Sequence, residues 1–69
     1  MELFELEGRE FIELNNLLKI TGLCESGGRA KVLISEGLVK VDGEVELRKR
    51  CKIRKDQIVE FNAQKIQIS

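Results

Sequence analysis

Residues 47–55, called the basic segment below, carry most of the chemistry that the sequence offers. The segment reads LRKRCKIRK and holds six cationic side chains and no acidic one, namely Arg48, Lys49, Arg50, Lys52, Arg54 and Lys55. The whole protein has twelve basic and twelve acidic residues, so its positive charge is concentrated rather than in excess. A concentrated positive surface attracts polyanions. We predict that the basic segment contacts phosphate groups.

Ser26, Gly27 and Gly28 offer a second place for a phosphate. A serine that caps a helix and is followed by glycines leaves backbone N–H groups accessible at the positive end of the helix dipole. The alternative is that the two glycines only let neighbouring elements pack closely. The pattern is too short for a P-loop, which needs Gly-x-x-x-x-Gly-Lys.

The sequence holds no recognisable catalytic or metal-binding set. It has no histidine, which excludes Ser-His and Cys-His pairs, and no motif would place two carboxylates across a cleft. Cys24 and Cys51 form no Cys-x-x-Cys pair, so they cannot supply a zinc site alone. We predict two separate reduced thiols, with the thiolate of Cys51 favoured by its cationic neighbours. We predict no enzymatic activity, no cofactor and no metal.

No aromatic residue lies among these bases along the sequence. Stacking on the bases of a single strand is therefore not expected. Contact with the phosphate backbone of a structured RNA fits the residue types better.

Hydrophobic periodicity predicts the elements that position these residues. Residues 1–7 alternate like a half-buried strand, and apolar residues recur at helical spacing over residues 13–20 and 27–36. Ser26 is the expected N-cap of the second helix, and Gly37 is the expected left-handed residue after it. Further strands are predicted around 39–41, 45–47, 58–61 and 66–68, and the first strand is expected to join the last hairpin. The predicted fold is α+β, with two helices packed on a small, mostly antiparallel sheet.

The sequence allows two strand registers for the hairpin that follows the second helix. A two-residue loop of Asp42 and Gly43 would place Val41 opposite Glu44. A three-residue loop would instead bury Val39 and Val41 together with Val45 and Leu47. We favour the longer loop, with Leu47 and Ile53 as the apolar anchors of the basic segment.

Length and composition predict one domain over residues 1–69. The N-terminus is acidic and has no long apolar run, so we expect neither a signal peptide nor a membrane span, and a cytoplasmic location. The net charge is −4 over residues 1–25, +5 over 26–55 and −1 over 56–69, which sums to zero. A polyanion would dock in one orientation. No large apolar stripe is left unassigned, which favours a monomer.

The order of motifs from residue 14 to residue 45 resembles the S-four RNA-binding domain. The family pattern has a leucine-rich helix, a serine with an alanine four residues later, and an ending of the type Ile-x-x-Gly-x-Val-x-Val-(Asn/Asp)-Gly. This chain has the leucines, then Ser26 and Ala30, and then ISEGLVKVDG over residues 34–43. SGGRAK and VELRKRCKI extend the resemblance to the small stand-alone YbcJ-like bacterial branch.

The resemblance implies an αL motif, in which two helices and a short strand form an RNA-docking surface. Many members of the family have an arginine directly after the motif serine, where this chain has Gly27. That contact does not carry over. The predicted RNA-binding residues are therefore Lys19, Arg29, Lys31, Lys40, Arg48, Lys49, Arg50 and Lys52, with Ser26, Gly27 and Gly28 as phosphate contacts.

The leading hypothesis is a non-catalytic protein that binds structured RNA, such as ribosomal or transfer RNA, with the ribosome or its precursors as its partner. A second hypothesis is a DNA reader of the helix-turn-helix type, because two short helices with a glycine in the turn also describe that motif. A third is a protein-interaction module whose basic strand meets an acidic partner.

Overall fold

The computed structural model describes all 69 residues as two helices and seven short strands. In chain order the elements are β1 (Glu2–Phe4), β2 (Ile12–Glu13), α1 (Leu14–Ile20), α2 (Gly27–Ser35), β3 (Val39–Val41), β4 (Glu44–Val45), β5 (Lys52–Ile53), β6 (Ile58–Phe61) and β7 (Gln64–Ile68). Five strands form one sheet in the order β1-β7-β6-β3-β4, and β2 and β5 form a separate ribbon. β1 runs parallel to β7, and all other pairs are antiparallel. The predicted α+β class and the pairing of the first strand with the last hairpin are confirmed.

Both helices form where apolar spacing predicts them, with bounds that differ by one residue. The Oγ of Ser26 accepts a hydrogen bond from the backbone N–H of Arg29 at 3.1 Å, which is the predicted N-cap of α2. Gly37 follows α2 and has a φ of 78°. Glycine adopts this left-handed conformation without a steric clash because it has no Cβ. Each helix buries three apolar side chains, which are Leu14, Leu17 and Leu18 on α1 and Ala30, Leu33 and Ile34 on α2.

The turn between β3 and β4 has two residues, so the predicted three-residue loop is wrong. Asp42 and Gly43 have φ of 52° and 84°, and a type I′ turn requires positive φ at both central positions. Val41 consequently pairs with Glu44. The carboxylate of Asp42 also holds the turn on β6, because its Oδ1 accepts a hydrogen bond from the N–H of Ile58 at 2.9 Å.

This register leaves two apolar side chains of the hairpin in solvent. Val45 is 52% exposed and Leu47 is 58% exposed, so the prediction that both are buried is wrong. Both lie over Gly37, where an added Cβ would meet Val45 at 3.7 Å and Leu47 at 3.9 Å. A type I′ turn matches the twist of its strands, and this local preference prevails over the burial of two more side chains.

One hydrophobic core joins the helices, the main sheet and the ribbon. Ile53 is fully buried in it, as predicted for an anchor of the basic segment, whereas Leu47 is not. The core contains no buried polar or charged residue. Its members are Leu6, Ile12, Leu14, Leu17, Leu18, Ala30, Ile34, Val39, Val41, Ile53, Val59, Ile66 and Ile68. Neither helix has the length and the apolar content needed to cross a lipid bilayer.

Candidate nucleic-acid interface

The ribbon of β2 and β5 fixes the second half of the basic segment. Ile12 pairs with Ile53, and Glu13 pairs with Lys52. Both isoleucines point into the core. Since side chains alternate along a strand, Lys52 and Arg54 lie on the opposite face, where both are exposed. No sequence pattern indicated this ribbon, because a strand of two residues is too short for alternation to be recognised.

Helix α1 fixes the first half of the basic segment. α1 has no side-chain cap at its start. Instead, the N–H of Leu14 donates a hydrogen bond to the carbonyl oxygen of Cys51 at 2.9 Å. The N–H of Asn15 donates one to the carbonyl oxygen of Lys49 at 3.1 Å. The first N–H groups of a helix have no partner within the helix, so these carbonyls satisfy them. The backbone of the segment is thereby held in place while the side chains of Lys49 and Arg50 remain exposed.

Asn15 also brings the basic segment next to the start of α2. Its Nδ2 lies 4.0 Å from the position that a Cβ on Gly27 would occupy. An added Cβ on Gly28 would meet only the Oγ of Ser26, at 3.8 Å. Both are ordinary van der Waals distances, so close packing does not require either glycine. The predicted phosphate contacts at Ser26, Gly27 and Gly28 are thus neighbours of the basic segment.

Two lysines on the helices lie on the same side as this junction. Lys19 follows Asn15 by one helical turn on α1, and Lys31 follows Gly27 by one turn on α2. Residues four apart lie on one face of a helix. Lys19 is exposed and Lys31 is half-buried. Lys19, in the last turn of α1, and Lys31, one turn into α2, therefore lie on the helix faces that carry Asn15 and Gly27, and Lys49 and Arg50 are exposed beside the start of α1.

Arg29 and Lys40 lie apart from this group. Arg29 follows Gly27 by two residues, which is about 200° around the helix, and it lines a cavity with Cys24 and Phe61. Lys40 lies between two buried valines of β3, so its side chain points to the outer face of the sheet. Its cross-strand neighbour on β6 is Glu60, with which it forms no ion pair. The structure does not bring these two predicted residues to the basic segment.

Arg48 forms an ion pair with Glu46, the only one in the structure. Its Nε lies 3.0 Å from Oε2 and its Nη2 lies 3.2 Å from Oε1 of Glu46, and its backbone N–H donates to Oε2 at 2.9 Å. The hydrogen bonds from Arg48 lower the pKa of Glu46 from 4.5 to about 2. The pair therefore contributes fully above about pH 4.5 and is lost as the pH falls through about 2. The side chain of Arg48 is 77% exposed and that of Glu46 is 17% exposed, so an external anion can still reach the arginine.

The pKa of the Cys51 thiol is raised, whereas its cationic neighbours in the sequence predicted a lowered one. Burial is the largest cause that raises its pKa, and the nearby charge of Glu46 raises it further. Arg48 opposes both effects, with its Nη2 3.6 Å from the Sγ of Cys51, but does not outweigh them. Burial also raises the pKa of Cys24. Both cysteines are free thiols, and the predicted preference of Cys51 for the thiolate form is wrong.

No aromatic residue lies among the bases along the sequence, but the fold brings the ring of Phe11 to them. The Nζ of Lys52 lies 4.9 Å from the centroid of the Phe11 ring, and the Cζ of Arg54 lies 5.6 Å from the same centroid. Phe11 is distant from the basic segment in sequence and reaches it only through the pairing of β2 with β5. Arg54 was not among the predicted binding residues. The only signal that could have found this cluster is a recognised strand at residues 12–13.

The geometry defines a small α+β module with an ordered, solvent-exposed cationic segment beside the starts of two packed helices. The S4 domain family matches residues 4–69 of this chain. The chain belongs to the S4 domain family, and the resemblance predicted from its motifs is confirmed.

Similar proteins cover the whole length of the chain. It is 50% identical over 68 residues to YbcJ of Escherichia coli strain K12, named "Putative RNA-binding protein YbcJ", with 99% of this chain and 97% of YbcJ covered. The identity and coverage are the same for YbcJ of Shigella flexneri. The solution structure of E. coli YbcJ, described as revealing an αL motif involved in RNA binding, superposes with a TM-score of 0.75 over 99% of this chain and 86% of that one.

Proposed function

We propose that this protein is a non-catalytic RNA-binding protein that recognises structured RNA through phosphate contacts. The observation that carries the proposal is the ordered basic segment, whose backbone is fixed by α1 while its cations remain exposed. Because the segment is already ordered, phosphate binding does not lose the conformational entropy that ordering a flexible loop would cost. The similarity to YbcJ and to its αL motif supports RNA as the polyanion.

The proposed contact surface follows the junction of the helices with the basic segment. Lys49, Arg50 and Lys52 supply exposed cations there, and Lys19 and Lys31 extend the surface along the helices. We propose that Ser26, Gly27 and Gly28 add backbone contacts at the start of α2. Arg48 takes part once a phosphate replaces Glu46. Arg29 and Lys40 would act only on an RNA that reaches around the domain.

Acidic side chains restrict the orientation of the RNA. Asp42, Glu44 and Glu46 line a cavity of about 360 Å³ together with Arg48 and Lys52, on one flank of the basic segment. Like charges repel phosphate there, so the RNA approaches from the side of the helices. We propose that the single domain acts as a cytoplasmic monomer on ribosomal or transfer RNA or on ribosome precursors. The exposed apolar pair Val45 and Leu47 is small, which supports the monomer.

A salt titration with competing nucleic acids tests the proposal. Fluorescence anisotropy would measure the affinity for an RNA hairpin and for a DNA hairpin of the same sequence between 50 and 300 mM KCl, about the range in which counterion release is measured. With about five phosphate contacts, a plot of the logarithm of the affinity against the logarithm of the salt concentration should have a slope of about −4.5. The RNA should bind more tightly at every salt concentration. Tighter binding of the DNA would instead support the helix-turn-helix hypothesis, and partners that survive nuclease in a pull-down would support the protein-interaction hypothesis.

Replacing Glu46 with glutamine is expected to strengthen RNA binding. The neutral amide no longer competes for Arg48, which gains a phosphate contact, so affinity should rise by up to about tenfold and the salt slope should steepen by about 0.9. The gain should be constant from about pH 5 to 8, because the pKa of Glu46 is about 2 and the carboxylate stays charged throughout this range.

Glu44→Gln is the matched control for this change. It removes the same charge from the same flank of the basic segment, but Glu44 forms no ion pair. Equal gains in the two variants would show that net charge, and not the release of Arg48, raises the affinity.

A further inference from the structure

Phe11 is a half-buried phenylalanine that does not pack against the hydrophobic core. The other two phenylalanines, Phe4 and Phe61, do pack against it. Phe11 directly precedes β2, and its neighbour Ile12 is the residue that points into the core. Because successive side chains alternate, the ring of Phe11 lies on the outer face of the ribbon.

Two cations from the basic segment lie over this ring. The register that pairs Ile12 with Ile53 places Arg54 opposite Phe11 and Lys52 on the diagonal, on the same outer face. The Nζ of Lys52 is 4.9 Å and the Cζ of Arg54 is 5.6 Å from the ring centroid. Both cationic side chains are exposed, and neither forms an ion pair, although Glu13 is paired with Lys52 across the ribbon.

A cation–π contact alone does not explain why an aromatic ring lies on this charged face. Phe4 makes one as well, with the Cζ of Arg9 5.6 Å from its centroid, but Phe4 also packs against the core. Phe11 has two cations and no core contact. A flat apolar ring between two free cations provides both features that an unpaired nucleotide needs, namely a stacking surface for its base and positive charge for its phosphate.

We propose that Phe11, Lys52 and Arg54 form a binding site for one unpaired nucleotide of a structured RNA. The base stacks on the ring of Phe11 or on the guanidinium plane of Arg54, and Lys52 contacts the adjoining phosphate. This inference rests on the proposed RNA-binding function and deepens it. The protein would then prefer an RNA with a bulged or looped-out base over one that is fully paired.

Phe11→Leu tests the site, because it removes the flat ring and keeps an apolar side chain. Affinity would be measured for two RNA hairpins that differ only in a single bulged nucleotide, at one salt concentration. Wild type should bind the bulged RNA more tightly. The variant should lose about 5- to 100-fold in affinity for the bulged RNA, the range found for removal of one base-stacking aromatic, and less than about twofold for the paired RNA. Phe11→Trp should restore the preference.

Two controls show whether a loss of affinity comes from the stacking surface of Phe11. Phe4→Leu removes the other ring that has a cation over it, and it should not change the ratio of the two affinities. Thermal unfolding would show that Phe11→Leu is folded, as expected for a ring outside the core. Equal losses on both RNAs, or no loss on either, would overturn the nucleotide site and leave the proposed RNA binding intact. Failure of the wild-type protein to bind either RNA would overturn both.

Discussion

Replacing Lys49, Arg50 and Lys52 together with alanine is expected to weaken the binding of structured RNA by about 100- to 1,000-fold. A hydrogen bond to a charged group contributes about 1.5 to 3 kcal/mol, and solvent screening at an exposed site lowers this to about 1 to 1.4 kcal/mol, so three lost contacts amount to about 3 to 4 kcal/mol. The salt slope should also become flatter by about 2 to 3, because about 0.9 counterions are released per phosphate contact. Anisotropy titrations at several salt concentrations would measure both quantities.

The fold should survive this triple substitution. The backbone carbonyl of Lys49, and not its side chain, accepts the hydrogen bond from α1, and the buried anchor Ile53 is unchanged. Arg48 is kept because its removal would leave the carboxylate of Glu46 without its cation.

The matched control is a triple variant with Arg9, Lys40 and Lys65 replaced by alanine. It changes the net charge by the same amount, and its three exposed residues lie outside the proposed contact surface. This control should lose less than about tenfold in affinity, through the long-range field alone. Equal losses in the two triple variants would show that affinity depends on total charge and not on the basic segment.

Replacing Ile34 with alanine is expected to destabilise the domain by about 2 to 5 kcal/mol. Ile34 is fully buried in the core on α2, so the substitution loses the transfer free energy of the side chain and leaves a cavity. A domain of this size has a total stability of only about 3 to 10 kcal/mol. Urea or thermal unfolding, followed by circular dichroism, should show a variant that is close to unfolded at 37 °C or melts far below the wild type.

Ile20→Ala is the control for this change, because it removes the same atoms from an exposed position. Ile20 is the last residue of α1 and is 51% exposed. Its loss should change the stability by about 0.5 kcal/mol or less. If the two substitutions had the same cost, the hydrophobic core around Ile34 would not be what stabilises the fold.

The register of the β3–β4 hairpin shows how a local rule and a burial rule can disagree. The apolar residues Val45 and Leu47 favoured a three-residue loop that would bury them, and that prediction was wrong. Asp42 and Gly43 instead adopt the positive φ values of a two-residue turn. An Asp-Gly pair has this conformation available at low cost, so the turn chemistry was the more reliable guide here.

The sequence by itself determined the elements whose physical causes are local. Apolar spacing placed both helices to within one residue, the cap of Ser26 and the left-handed Gly37 bound α2, and the order of motifs indicated the family. Segregation of charge identified the basic segment. Each of these features depends on residues a few positions apart, where hydrogen-bonding and steric rules apply directly.

Only the tertiary structure decided which distant groups meet. The ribbon of β2 and β5 brings Phe11 to Lys52 and Arg54, and the start of α1 fixes the basic segment through main-chain carbonyls. The alternation of apolar and polar residues predicts which face of a strand a side chain lies on. It does not predict which other strand that strand pairs with. Every residue has the same main-chain carbonyl, so the sequence does not indicate which carbonyls accept the hydrogen bonds from the start of α1. The basic segment was therefore visible as charge in the sequence, whereas its fixed position and its aromatic neighbour follow from packing.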